Sequence, residues 1–135
     1  MAAKARGAFP LIVALAALTH MAGTAAAASV ETSRDARIFE LLDDDQNGNV
    51  SMMEFKNNQM LVFYILDRNK DLALTVDETF LPADVFASIA GTGGKIDTLE
   101  FLDIVDSAFK QADTNQDGLL ERQEFVTLLN RVRNR

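Results

Sequence analysis

Four segments of about a dozen residues recur along this chain of 135 residues, with starts at 43, 67, 89 or 90, and 113. The period is 22 to 24 residues, each segment closes on a glutamate, and in three of the four a phenylalanine follows. A repeat of this length indicates that the chain folds as a series of small, similar units that pack on one another. We call the segments loop 1 to loop 4 in chain order.

Loop 4, residues 113–124, has the most complete pattern. Its first, third, fifth, ninth and twelfth residues carry oxygen, Gly118 is sixth, and the seventh residue can offer its backbone carbonyl. Ca²⁺ prefers six to eight oxygen ligands, and a tight loop must aim alternate side chains inward to supply them. Glycine adopts the positive φ of the sharp turn without steric cost. The predicted ligands are Asp113, Asn115, Asp117, Leu119, Glu121 and Glu124.

Loop 1, residues 43–54, matches the same pattern at every position, with Gly48 sixth. Asn49, the seventh residue, would contribute its backbone carbonyl. The predicted ligands are Asp43, Asp45, Asn47, Asn49, Ser51 and Glu54.

Loop 2, residues 67–78, departs at the sixth position, where Leu72 replaces glycine. A non-glycine residue at positive φ costs roughly 1–2 kcal/mol. Arg68 and Lys70 also bring positive charge to this loop, so we expect weaker binding. The predicted ligands are Asp67, Asn69, Asp71, Ala73 through its carbonyl, Thr75 and Glu78.

Loop 3 retains only the second half of the pattern, with Ile96 eighth, Asp97 ninth and Glu100 twelfth. Counting back from Glu100 places Ile89, Gly91 and Gly93 where oxygen side chains should stand. We therefore predict a degenerate unit kept for structure and assign no metal to it. The alternative is a glycine-rich surface loop.

The loops and the helical apolar spacing between them resemble the EF-hand superfamily over residues 33–132, most closely the short-period, four-hand calcium-binding proteins secreted by bacteria. The resemblance implies an all-α fold, an array of four helix–loop–helix units at about 33–60, 58–81, 82–105 and 101–133, with at most short β-bridges between loops. It also implies Ca²⁺ as the ligand and no catalysis. We expect two calcium sites, in loops 1 and 4, and a weaker third in loop 2.

The connections between loops leave the arrangement open. About twelve residues separate consecutive loops, which as a straight helix would span roughly 18 Å. Either each connector is one helix shared by two units, or it kinks near Asn57-Asn58 so that loops 1 and 2 meet. The break at Leu81-Pro82 favours pairs 1–2 and 3–4, whereas the unbroken pattern of 101–112 favours sharing. The sequence Thr32 to Asp35 indicates the start of the first helix.

Residues 1–28 are typical of a secretory signal peptide, followed by a domain over 29–135. Lys4 and Arg6 precede an apolar run, and Ala25–Ala28 form a small-residue cleavage site before Ser29. The alternative is an uncleaved anchor, because 9–28 is nominally long enough to span a membrane. We expect cleavage and export to the periplasm or the exterior.

Composition narrows the function of the mature chain. The sequence has no cysteine, and its single histidine lies in the predicted signal peptide. The predicted signal peptide contains two of the 13 lysine and arginine residues and none of the 20 acidic residues. The mature chain would therefore have eleven basic and 20 acidic residues, a net charge of −9. This balance argues against nucleic acid as a partner. The absence of the usual zinc ligands and of histidine, the commonest general base, favours a protein that is not an enzyme. We predict a calcium buffer or calcium-stabilised module; the alternative is a calcium-dependent sensor or adaptor that docks on another exported protein.

Overall fold

The computed structural model describes the backbone of residues 25–133 and the side chains of residues 33–131. Five α-helices are α1 (Ala25–Leu42), α2 (Met52–Leu66), α3 (Ala83–Ala90), α4 (Thr98–Ala112) and α5 (Arg122–Arg133). Four short strands are β1 (Asn49–Ser51), β2 (Ala73–Leu74), β3 (Ile96–Asp97) and β4 (Leu119–Glu121), and short 3₁₀ turns lie at Val76–Glu78 and Gly91–Gly93. The described fold is therefore helical with two minimal sheets. Residues 1–24 of the predicted signal peptide lie outside the described residues.

The first helix begins earlier than the sequence pattern indicates. The cap expected at Thr32 is wrong, because α1 runs without interruption from Ala25 to Leu42. Alanine has the highest helix propensity of all residues, and Ala25–Ala28 form the first turn of α1.

The connectors α2 and α4 are unbroken helices of 15 residues each, so each is shared by two loops. The kink considered at Asn57-Asn58 does not occur. Asn58 donates its side-chain amide to the Glu54 carbonyl at 3.0 Å, and the helix continues through it. A helix of this length holds its two loops roughly 22 Å apart.

The loops pair through the strands, first with last and second with third. In the antiparallel pair β1–β4, Val50 lies opposite Leu120, and in β2–β3, Leu74 lies opposite Ile96. The pairs 1–2 and 3–4 that Leu81-Pro82 favoured are therefore wrong. Pro82 does precede a new helix, as expected. The unbroken helices α2 and α4 hold loop 1 apart from loop 2 and loop 3 apart from loop 4, whereas loops 2 and 3 meet.

The core joins the two ends of the chain and the two connectors through aromatic contacts. Phe39 of α1 packs on Phe125 of α5, with ring centroids 5.7 Å apart. Between α2 and α4, Phe55 packs on Phe109 at 5.6 Å and Phe63 on Phe101 at 5.0 Å. All six rings are buried, and such pairs add to the hydrophobic burial. The phenylalanines flanking the loops thus serve the core.

Among the helices of residues 25–133, none has the length and apolar character needed to cross a bilayer.

We predict that Ile96→Ala destabilises the protein by roughly 2–5 kcal/mol. Ile96 is 1% exposed and packs in the core where loop 3 meets loop 2, so its truncation leaves a cavity. Leu99→Ala is the matched control, since Leu99 is 74% exposed and its loss should change the free energy of unfolding by no more than about 0.5 kcal/mol. Urea unfolding followed by circular dichroism measures both. Equal stability of the two variants would contradict a structural role for loop 3.

Candidate metal centre

Loops 1, 2 and 4 begin in the same way, with an aspartate that ends the preceding helix. The backbone amides of Asp43, Asp67 and Asp113 donate to the carbonyls of phenylalanines four residues earlier, at 2.8–2.9 Å. Each of these aspartates is buried, with 7%, 1% and 8% of its surface exposed. A buried carboxylate is costly unless hydrogen bonds or an ion compensate its charge.

The loop itself supplies those hydrogen bonds. In loop 1 the two carboxylate oxygens of Asp43 accept from the amides of Asn47 at 3.0 Å and Gly48 at 2.8 Å. The corresponding oxygens of Asp67 and Asp113 accept from the amides at the same fifth and sixth positions, at 2.9–3.2 Å. The three loops therefore curl around their first residue with one common geometry.

The third and fifth side chains tighten this curl. In each loop the third residue accepts from the fifth amide, and the fifth accepts from the seventh, at distances of 2.8–3.1 Å. These short-range bonds keep an oxygen from each side chain near the loop interior. The third-position acceptors are Asp45, Asn69 and Asn115, and the fifth-position acceptors are Asn47, Asp71 and Asp117.

The sixth residue of each of these loops has a positive φ. Gly48 and Gly118 have φ of 89° and 82°, and Leu72 has 64°, so the strained turn expected in loop 2 is present. An added Cβ at either glycine would meet no atom within 4 Å, and the demand for glycine is therefore conformational.

The twelfth residue, a glutamate, closes each loop onto its start. One oxygen of Glu54 accepts from the amides of Asp44 at 2.9 Å and Asp45 at 3.2 Å, and the other accepts from the Ser51 amide at 2.8 Å. Glu78 and Glu124 accept from the amides at the same second, third and ninth positions, at 2.9–3.3 Å. The carboxylate of one side chain thus connects the start of the loop to its ninth residue.

These hydrogen bonds keep the closing glutamates ionised. Partial desolvation raises the pKa of Glu54, but bonds from the Ser51 backbone and hydroxyl and from the loop-start amides outweigh it and lower the pKa. The pKa of Glu124 is lowered against the same desolvation, chiefly by the Glu121 amide. For Glu78 the Thr75 amide is the largest cause of a lowered pKa. Anionic carboxylates are the form that binds a cation.

The ninth and seventh residues have different roles. The hydroxyls of Ser51 and Thr75 donate to the closing glutamates at 2.7 Å and 3.0 Å, whereas Glu121 is exposed and contributes its amide. The seventh residues predicted to offer carbonyls, Asn49, Ala73 and Leu119, are the first residues of β1, β2 and β4.

Three carboxylates of loop 1 lie close enough together to share one metal ion. One oxygen from each of Asp43, Asp45 and Glu54 lies within 4.8 Å of the others. Oxygens that share a Ca²⁺ at 2.3–2.6 Å lie at most about 5 Å apart, on opposite sides of the ion. In loops 2 and 4 the third-position acid is replaced by Asn69 and Asn115, which still offer an oxygen.

Loop 3 lacks this construction. The side chain of Asp97 accepts from the Glu100 amide at 2.8 Å, and the Glu100 carboxylate accepts from the Asp97 amide at 3.1 Å. This reciprocal pair caps α4, and Glu100 is exposed. Loops 1 and 2 have the same capping pair, formed by Ser51 with Glu54 and by Thr75 with Glu78. The glutamates of loops 1, 2 and 4 also accept from amides at the start of their loops, and Glu100 makes no such bond among the described residues.

Two segments of the chain match known family models. Residues 35–61 match a model described as EF hand, and residues 104–132 match one described as EF hand domain. These two segments are EF-hand units, so the resemblance to the EF-hand superfamily is confirmed for them. The two matches contain loops 1 and 4 with parts of their flanking helices, and together with the acidic cluster they indicate calcium binding. No curated protein matches the chain.

Sequence reasoning missed one charged residue beside loop 2. Lys95 of loop 3 donates to the side chain of Asp71 in loop 2 at 2.7 Å. The hydrogen bond from Lys95 is the largest cause of a lowered pKa at Asp71, and the same bond raises the pKa of Lys95. The only signal in the sequence was the presence of Lys95 in loop 3. Its partner could not be predicted, because the contact with Asp71 depends on the pairing of loop 3 with loop 2.

We predict that Glu54→Gln and Glu124→Gln each reduce by one the number of calcium ions bound, because each removes the charge and one carboxylate oxygen of the group that closes a loop. Glu100→Gln, which alters only a helix cap, should leave the number unchanged. Calorimetric calcium titration of each variant measures the stoichiometry. Loss of an ion from Glu100→Gln would contradict the assignment of loop 3 as metal-free.

Proposed function

We propose that the chain is an exported calcium-binding module with sites in loops 1, 2 and 4, and with loop 3 acting as scaffolding. The observation that carries the proposal is the shared hydrogen-bond pattern of those three loops. In each, backbone amides hold the first, third, fifth and twelfth side chains around one centre. Hard cations such as Ca²⁺ favour a centre made of carboxylate, amide and carbonyl oxygens.

Within this class, a buffer or calcium-stabilised module is favoured over a sensor. A sensor exposes an apolar groove when it binds calcium. The large apolar side chains beside the loops, such as Phe55, Phe101 and Phe125, are 0–3% exposed and paired within the core. Opening the units would break these aromatic contacts.

One observation favours the second candidate, a module that docks on another exported protein. Leu61, Tyr64 and Ile65 share one face of α2 and are 63–68% exposed. Calcium would then serve to hold α2 between its two loops.

Retention on a hydrophobic resin only when calcium is present would favour a sensor, and equal retention with and without chelator would favour the buffer or stabilised module.

We propose no catalytic activity for the chain. The acids of loops 1, 2 and 4 are engaged in loop closure, and the predicted mature sequence has neither cysteine nor histidine. Hydrolysis of a model ester or glycoside that disappears on substitution of a loop carboxylate would contradict this.

We predict that the chain binds two or three calcium ions and that binding raises its melting temperature. A ligand that binds only the folded protein raises the free energy of unfolding. The increase grows with the logarithm of the ligand concentration once that concentration exceeds Kd. Calorimetric titration gives the stoichiometry, and thermal unfolding in millimolar calcium or chelator gives the shift. Absence of both heat and stabilisation in millimolar calcium would overturn the proposed function.

We predict that a host with an active secretory pathway exports the chain and removes residues 1–28. Mass spectrometry of the exported protein should then show Ser29 as the first residue. Replacing Ala26 and Ala28 with bulky residues should block cleavage, since the cleavage site needs small side chains. Cytoplasmic accumulation of the uncleaved chain would contradict export.

A further inference from the structure

Three positively charged side chains lie near loop 2, and two of them are held away from its ligand oxygens. Arg68 donates to the backbone carbonyl of Asp77, outside the loop centre. The ammonium group of Lys70 stands 3.6 Å from the centroid of the Tyr64 ring and donates to the Tyr64 carbonyl. A cation over an aromatic face is held there by the ring quadrupole.

The third cation, Lys95, is directed at the site. Its ammonium group forms an ion pair at 2.7 Å with Oδ2 of Asp71, the fifth-position residue of loop 2. The other oxygen of Asp71 accepts the Ala73 amide that shapes the loop. Lys95 therefore holds the oxygen that the loop leaves free for a ligand.

The pairing of loops 2 and 3 places Lys95 beside Asp71. Lys95 directly precedes β3, which pairs with β2 of loop 2. On the other side of β3, the Thr98 hydroxyl donates to the Leu72 carbonyl at 3.1 Å, so loop 3 is anchored to loop 2 at both ends of the strand. The ion pair is thus a consequence of the fold, despite a separation of 24 residues along the chain.

The seventh position of a loop, where Lys95 stands, carries no charge elsewhere in the array. It is Asn49 in loop 1, Ala73 in loop 2 and Leu119 in loop 4. The pair formed by loops 1 and 4 therefore has no counterpart of this lysine at the seventh position. Whatever Lys95 does to cation binding is specific to loop 2.

We propose that Lys95 is a built-in competitor for the cation of loop 2 and sets that site's affinity below those of loops 1 and 4. This inference rests on the proposed function, since it assumes that loop 2 binds calcium. For Asp71 to turn a free oxygen to the ion, its bond to Lys95 must break, and the released ammonium then repels a divalent cation nearby. Lys95 and Asp71 side chains are 53% and 36% exposed, so the pair is weak enough for calcium to displace it.

The test is a calcium titration of the full chain with Lys95→Met. We expect calcium affinity at loop 2 to rise about tenfold at low ionic strength, with loops 1 and 4 unchanged. The single tyrosine, Tyr64, is three residues before loop 2, so its fluorescence reports this loop. Calorimetry on the same samples counts all ions bound.

Three comparisons separate competition from other effects. Lys95→Arg keeps the cation and should keep the affinity of the parent chain. Lys70→Met removes the same charge from loop 2 itself and should change affinity much less, because Lys70 is bound to Tyr64. The gain in affinity from Lys95→Met should also shrink in about 1 M salt, because the Debye length there is only about 3 Å.

Each outcome decides one claim. A Lys95→Met chain with unchanged loop 2 affinity, while loops 1 and 4 bind calcium, would overturn the competitor role. An equal gain from Lys70→Met would overturn it as well, since net charge would then be the cause. Absence of calcium binding at every loop would instead overturn the proposed function. Lys95→Gln should repeat the gain and serves as the test should methionine disturb folding.

Discussion

The antiparallel pairing of β1 with β4 is the constraint on which the rest of the structure depends. It joins the first loop to the last, so α1 and α5 must pack together, which they do through Phe39 and Phe125. With the ends joined, the only partner left for loop 2 is loop 3. The two connectors α2 and α4 then lie side by side, and their phenylalanines form the middle of the core.

The negative charge of these loops must be compensated by hydrogen bonds or by a bound ion. The backbone does this in loops 1, 2 and 4, where amides converge on the first and twelfth residues. Charge-assisted hydrogen bonds of this kind are stronger than neutral ones. The same bonds fix the directions of the side chains, so folding and preparation of the cation site are one process.

Much of this architecture could be predicted from residue spacing, because a calcium loop is a local motif. The aspartate, glycine and glutamate positions predicted the loop geometry, and Leu72 predicted the strained turn of loop 2. Pairing of loops is a non-local property and could not be predicted in the same way. The proline break at Leu81-Pro82 suggested the wrong partners, since a break in the chain says where a helix stops and not which surfaces meet. The helix start predicted at Thr32 was wrong because the alanines before it have high helix propensity, so the helix already begins at Ala25.

The two loop pairs compensate charge by different means. In loops 1 and 4 the carboxylates accept from amides and neutral side chains, whereas Asp71 of loop 2 accepts from the ammonium group of Lys95. Loop 3 has lost its own ligand side chains, so a lysine there faces no competing local acid at the first, third or fifth position. The weaker calcium binding that we propose for loop 2 would therefore follow from the degeneration of loop 3, through their shared sheet. Because loops 1 and 4 share the other sheet, their full ligand sets are kept clear of that lysine.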